Sequence, residues 1–354
     1  MYLIERGWSY NNSITNKEKD LIPGRVTTKS GKHYGVITQE GELKAILLNS
    51  YLNRINDKSE IPVVGDWVGL RKNPEVKTYH IDYLYKRKNK LSRKVSGAKS
   101  EEQIIASNID VVFIVTSVES DFNVRRLERY LAMVFEINAQ PVIVLNKIDK
   151  IKDVESYRKE TEGICQDIPI IAISATESYN INDAGKYIKS GKTVILIGSS
   201  GVGKSTLINQ LLGYSRQAVG ETRESDDKGR HITSTRELII LPNGGMIIDN
   251  PGIRELQLWS SGDGISELFK DIEDLSRFCK FKDCLHEKEP KCAVRKAVEE
   301  GKISTDRFMS YKKLLREQEY FQLRLNTYER RKKDKRFGKM CRKVKDIQRL
   351  KGKN

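Results

Sequence analysis

Gly198-Ser199-Ser200-Gly201-Val202-Gly203-Lys204-Ser205 is the stretch on which the reading of this chain turns. It matches G-x-x-x-x-G-K-S. It follows the apolar run TVILI (193–197) and opens the helical segment STLINQLLG (205–213), the strand–loop–helix setting in which that pattern cradles phosphate. The glycines let backbone N–H groups turn inward, and the helix start adds its partial positive charge. Lys204 is placed to bridge β- and γ-phosphates and to serve catalysis, and Ser205 to ligate Mg2+. Ser199, Ser200, Val202 and Thr206 complete the expected contacts.

Outward from this loop, apolar strands are expected near 111–115, 141–145, 169–173, 238–241 and 246–248. Helical segments such as VRRLERYLAMVFEI (124–137) separate them. Such alternation predicts an α/β fold with a largely parallel sheet covered on both faces. Asn146-Lys147-Ile148-Asp149 closes the strand PVIVL. A carboxylate at Asp149 can accept from both guanine N1–H and the exocyclic amino group, a donor pair that adenine lacks. Lys147 would lie along the base, and the Ser174-Ala175 loop would offer a backbone N–H to guanine O6. All three pieces sit at carboxyl ends of strands, where α/β sheets bind ligands.

Downstream, GETRESDDKGRHITSTREL (220–238) carries no apolar stripe and reads as a switch loop. Thr233, or alternatively Thr235, would complete Mg2+ coordination. Asp249-Asn250-Pro251-Gly252 follows a strand; Asp249 would hold Mg2+ through water and the Gly252 N–H would touch the γ-phosphate. Ile253 stands where many GTPases have a water-orienting glutamine, which leaves His231 as the nearest candidate for that catalytic role. The order is base reader, phosphate loop, switch I, switch II. Ordinary GTPases begin with the phosphate loop, so this set is circularly permuted.

The flanks add two modules and a tail. IPGRVTTKSGKHYGVIT (22–38), GELKAILLN (41–49) and VVGDWVGL (63–70) alternate β-branched and polar residues between turns, which predicts a small all-β barrel of the OB type. Cys279-x4-Cys284-x-His286-x5-Cys292 supplies three thiolates and one imidazole, a closed set suited to one structural Zn2+. From residue 311 the chain holds 17 Lys/Arg against 5 Asp/Glu, much of the net +16 that 64 Lys+Arg and 48 Asp+Glu give the whole. A polyanionic partner follows, RNA being the favoured one. Hydrophobic residues make up 38% of the 354. No apolar run nears the roughly 20 residues that span a bilayer, and the start MYLIERGWSYNNS lacks a signal-peptide pattern, so no membrane and a cytoplasmic location are expected.

With these motifs in this order, the chain resembles the RsgA (YjeQ) family of small-subunit ribosome biogenesis GTPases over roughly residues 20 to 310. The resemblance implies a circularly permuted P-loop GTPase with an N-terminal OB-like β-barrel and a C-terminal helical zinc-binding domain. It implies GTP hydrolysis to GDP and phosphate, stimulated by the small ribosomal subunit and its rRNA, and a monomer. The expected domain spans are 1–20 (extension), 21–92 (barrel), 93–262 (GTPase), 263–310 (zinc) and 311–354 (basic helical tail). The roles of Lys204, Ser205, Asn146, Asp149, Thr233, Asp249, Gly252, His231 and the four zinc ligands carry over. Ile232 and Asn250 depart from the threonine and Thr/Ser that members usually have there. A permuted GTPase of the large subunit, and an RNA-binding scaffold with a non-hydrolysing switch, are the alternatives.

Overall fold

The structure is a computed structural model that describes residues 7–8, 20–55, 57–73, 78–94, 102–164, 167–213, 236–250, 263–320 and 322–323. Its larger unit begins with β1 (Ile22–Ser30), β2 (His33–Thr38), β3 (Gly41–Ile46), β4 (Trp67–Lys72) and β5 (Tyr79–Leu84), with helix α1 (Asn49–Arg54) between β3 and β4. The order β1-β2-β3-β5-β4 closes because β4 pairs back onto β1, so five strands make a barrel. Alternation along each strand sends Val26, Tyr34, Val36, Ala45, Val68, Leu70 and Ile81 inward to one apolar core. A bulge between Val26 and Thr28 bends β1 where the barrel must turn.

A two-stranded ribbon, β6 (Lys90–Lys94) and β7 (Glu102–Ser107), follows the barrel. Then come β8 (Val111–Ser117), α2 (Val124–Glu136), β9 (Gln140–Asn146), α3 (Val154–Glu162), β10 (Ile170–Ala172), α4 (Ile181–Gly185), β11 (Thr193–Ile197), α5 (Lys204–Leu212), β12 (Glu237–Ile240) and β13 (Met246–Asp249). The spatial order is β10-β9-β8-β11-β13-β12, parallel except for β12. From β8 the chain runs outward through β9 and β10, then returns to lay β11 on the other side of β8. That reversal is a topological switch point, so a crevice opens where the loops after β8 and β11 diverge. Seven consecutive buried residues in β8 and five in β11 show strands covered on both faces.

Barrel and GTPase sheet are one continuous structure. Thr28 of β1 pairs with Glu237 of β12, which joins the strands into a single sheet of eleven. Beside this join Arg25 is 1% exposed. It donates to the carbonyls of Gly65 and Asn108 at 3.2 Å each, to Thr193 Oγ1 at 2.7 Å and to Met246 Sδ at 3.3 Å. Its guanidinium also lies 5.5 Å from the centre of the Trp67 ring. Burial lowers its pKa to about 10 against the pull of Asp110 and Asp66, so it stays charged near neutrality.

The smaller unit holds α6 (Asp263–Leu268), α7 (Lys270–Ser276), α8 (Ala293–Glu299) and a final helix over 305–320. From 263 onward no strand occurs among the described residues. Ile265, Phe269, Ile272, Val294 and Tyr311 are buried. Arg307 clamps Asp271 with two bonds, of 2.8 and 2.7 Å, while stacking over the Phe269 ring. None of the described helices is long and apolar enough to cross a membrane.

Candidate functional site

The loop from Gly198 to Gly203 joins β11 to α5 at the switch point. Two of its glycines are sterically required. At Gly198 (φ +145°) a Cβ would lie 2.1 Å from the Val115 carbonyl oxygen, and at Gly203 (φ +95°) 2.2 Å from Asn146 Nδ2. Helix α5 begins at Lys204, so Ser205 and Thr206 occupy its first turn, beside the open N–H groups of a helix start. Lys204 Nζ is folded onto the loop, donating to the carbonyls of Gly198 (2.8 Å) and Ser199. Burial lowers its pKa to about 8, with Asp121 and Asp249 pulling the other way. Two carboxylates are therefore near enough to act on the Lys204 ammonium.

Asn146 braces the pocket. Its Nδ2 donates to the Val202 carbonyl at 2.7 Å, and its Oδ1 accepts the Ala175 N–H at 3.0 Å. One amide, 1% exposed, thus ties the phosphate loop to the Ser174-Ala175 loop. Ser174 Oγ donates to Asp149 Oδ1 at 2.6 Å and accepts the Glu177 N–H at 3.1 Å. The Ser174 bond, followed by Lys150 at 3.2 Å, holds the Asp149 carboxyl below its usual range, fully ionised as an acceptor. Lys147 sits at φ +63°, with its ammonium 3.3 Å from Glu119 Oε2. Asn146, Lys147, Asp149, Ser174 and Ala175 are thereby gathered on one side of the crevice and the 198–206 segment on the other.

Asp249 ends β13, and Asn250 next to it is 6% exposed. Asn250 Oδ1 accepts from Arg236 Nε at 3.2 Å, while its Nδ2 has no partner among the described residues. His231, Thr233, Thr235, Gly252 and Ile253 lie outside the described residues, as do 1–6, 9–19 and the tail from 324. Sequence reasoning missed Asp121 and Arg126. Arg126 Nη1 donates to both Asp121 and Ser199 Oγ, which brings the loop after β8 and the first turn of α2 against the phosphate loop. No short motif marks them. Their signal is topological: β8 neighbours β11 at the switch point.

Cys279, Cys284, His286 and Cys292 converge in the smaller unit, their ligand atoms all within 4.8 Å of one another. Cys279 Sγ is 3.8 Å from Cys292 Sγ and 3.6 Å from His286 Nδ1, which lies 3.3 Å from Cys292 Sγ. Cys292 caps α8, accepting the Arg295 N–H. Burial and then Lys312 lower the His286 pKa, favouring the neutral imidazole that ligates metals. These residues could hold one metal ion.

The sequence profile of the RsgA GTPase family matches residues 84–259. The small ribosomal subunit biogenesis GTPase RsgA of Methanosarcina acetivorans is 42% identical over 319 residues, covering 90% of this chain and 84% of that protein. Its namesake in Opitutus terrae is 37% identical over 343 residues, covering 94% of each. Among solved structures, YjeQ from Thermotoga maritima superposes with a TM-score of 0.63 at 27% identity, covering 84% of this chain and 98% of that one. YloQ, a circularly permuted GTPase, superposes at 0.59 and 24% identity, covering 85% and 96%, a likeness of fold.

Proposed function

The chain belongs to the RsgA GTPase family, and on that premise we propose that it binds the small ribosomal subunit and hydrolyses GTP during its late assembly. The observation that supports the reading is the Asn146 amide, which ties the Ser174-Ala175 loop to the loop before α5 in permuted chain order. Asp149 accepts from the base; the 198–206 loop and Lys204 hold the phosphates. Ser205 and Asp249, with Thr233, would hold Mg2+, which neutralises charge between the β- and γ-phosphates. Water adds to the γ-phosphorus, the bond to the β-phosphate oxygen breaks, and GDP and phosphate leave. His231 is the residue we assign to orienting that water, since Ile253 cannot hydrogen-bond.

The Cys3His set supports Zn2+ as the ion. Tetrahedral arms of about 2.3 Å to sulfur and 2.0 Å to nitrogen give edges of about 3.8 Å for S···S and 3.5 Å for S···N. The observed 3.8, 3.6 and 3.3 Å lie near those values. All four positions are filled by protein, so the ion would be structural. The same reading makes the protein a cytoplasmic monomer that grips rRNA through barrel and tail. GTP turnover with and without purified small or large subunits is the test. Slow turnover alone and strong stimulation by small subunits is the expected result; stimulation by large subunits only would redirect the reading, and no turnover under any condition would favour a non-hydrolysing switch.

A further inference from the structure

Where β12 meets β1, the register sets cation against cation. Thr28 faces Glu237 in an antiparallel pair, so the next rung places Lys29 opposite Arg236. Like charges directly opposite across a ladder are destabilising. Alternation sends Glu237 to the other face, so it cannot screen the pair. A third cation, Arg93 of β6, is close enough to Arg236 to depress its pKa further, after burial. Lys29 is likewise lowered to about 8, by burial first and Arg236 second.

All three side chains are half-buried, and all three use neutral acceptors. Lys29 Nζ donates to the Pro62 carbonyl at 2.8 Å, Arg93 Nε to Gln103 Oε1 at 2.9 Å, and Arg236 Nε to Asn250 Oδ1 at 3.2 Å. Among the described residues none of the three has a carboxylate partner. Asp66, the acid that acts on Lys29, is already engaged by Arg87 through two 2.7 Å bonds, by Ser107 and by the Val63 N–H. Among the described residues both arginines commit only Nε, and their terminal N–H groups are the ones we assign to a ligand. Two forked guanidinium ends and one ammonium suit a tetrahedral oxyanion with several acceptor atoms.

We propose that Lys29, Arg93 and Arg236 form a phosphate-binding site on the seam between the barrel and the GTPase sheet, and that its occupant is a backbone phosphate of RNA. The choice of RNA rests on the functional reading above and on the net charge of +16. The site is one hydrogen bond from the nucleotide pocket, because Arg236 also holds Asn250, the neighbour of Asp249. RNA bound here would bear on the end of β13, and by reciprocity nucleotide state would alter RNA affinity by the same factor.

The test uses the full chain with Arg93→Gln, Arg236→Gln and Lys29→Gln, singly and combined, and exposed Lys189→Gln as control. Binding to a fluorescein-labelled RNA duplex and to purified small subunits is measured across a salt series. Each single variant should weaken binding about three- to tenfold at fixed salt. The triple variant should lower the slope of log K against log[salt] by about 0.9, the share of one phosphate rather than three. The control should match wild type. Melting temperatures of the variants should equal or exceed that of wild type, because like charges have been separated. Variants that bind as wild type does, or lose RNA only along with several degrees of melting temperature, would overturn the site. If inorganic phosphate raises the melting temperature of wild type alone while RNA binding is unchanged in the variants, the occupant is a free anion and the RNA claim fails. A wild type that binds no small subunit refutes the functional reading instead, and the RNA duplex then still decides the site.

Discussion

Replacing Asn146 with alanine would leave two buried groups facing nothing. The Val202 carbonyl would lose its donor at 2.7 Å and the Ala175 N–H its acceptor at 3.0 Å. Val202 and Ala175 are each 1% exposed, so water does not replace either bond without the loops moving. An orphaned buried polar group costs roughly 1–3 kcal/mol. Two such groups, with partial relaxation of the loops, give about 3 kcal/mol against the nucleotide-ready arrangement. That corresponds to about a hundredfold loss of GDP affinity. Asn146→Asp should be no milder, because it keeps the acceptor for Ala175 but sets a carboxylate oxygen against the Val202 carbonyl. Titration with a fluorescent GDP analogue would measure the loss. The preference for guanine over xanthine nucleotides should persist in both variants, since Asp149 and Ser174 keep their own bond. Affinity within about threefold of wild type would refute the idea that this amide organises the pocket.

The reverse selectivity change is expected from Asp149→Asn, which sets a donor against guanine's donors: GDP should weaken and xanthosine diphosphate strengthen, each by about tenfold or more, and an unaltered ratio in competition assays would contradict it. Arg25→Met removes the donors to Asn108 O and Thr193 Oγ1 at similar volume and should cost about 3 kcal/mol, seen as a lower urea midpoint. Cys284→Ala should abolish a bound metal measured by atomic emission at about one Zn2+ per wild-type chain; wild type without metal would contradict the Cys3His reading. Asp110 supplies a pH dependence. Burial alone would raise its pKa, but Lys88, the Thr193 N–H and Lys192 hold it below the usual value. A lowered folded-state pKa stabilises above the unfolded value near 3.9 and is lost as pH falls through the folded one. The urea midpoint gap between wild type and Asp110→Asn should therefore be constant from about pH 5 to 7 and narrow below about pH 4.

The local motifs were legible because each packs its chemistry into a few consecutive residues. GSSGVGKS between an apolar run and a helix, NKID at a strand end, and the Cys-x4-Cys-x-His-x5-Cys spacing each declare backbone and side chain together. Contacts spanning long sequence separations were not. Arg25 reads as one more polar residue in an alternating strand; alternation shows that it leaves the barrel core but not that a second sheet covers that face. Asn146 reads as part of the base recogniser, whereas its two bonds fall 56 and 29 residues away, on the loops it braces. The Lys29–Arg236 rung depends on β1 meeting β12 across some 200 residues, which no local pattern encodes.

That distance bears on how the molecule comes into being. Synthesis is vectorial, and domains form as they emerge. All five barrel strands are complete by Leu84, so the barrel can close while β12 is still more than 150 residues from being made. Until then β1 presents an open place for Glu237, and Arg25 waits in water for Thr193 and Met246. The finished barrel thus offers one edge, β1, to which β12 is later joined, while β13 is laid between β11 and β12. A nascent chain cut short before Glu237 would hold all five barrel strands and β8 to β11, yet lack β12 and β13.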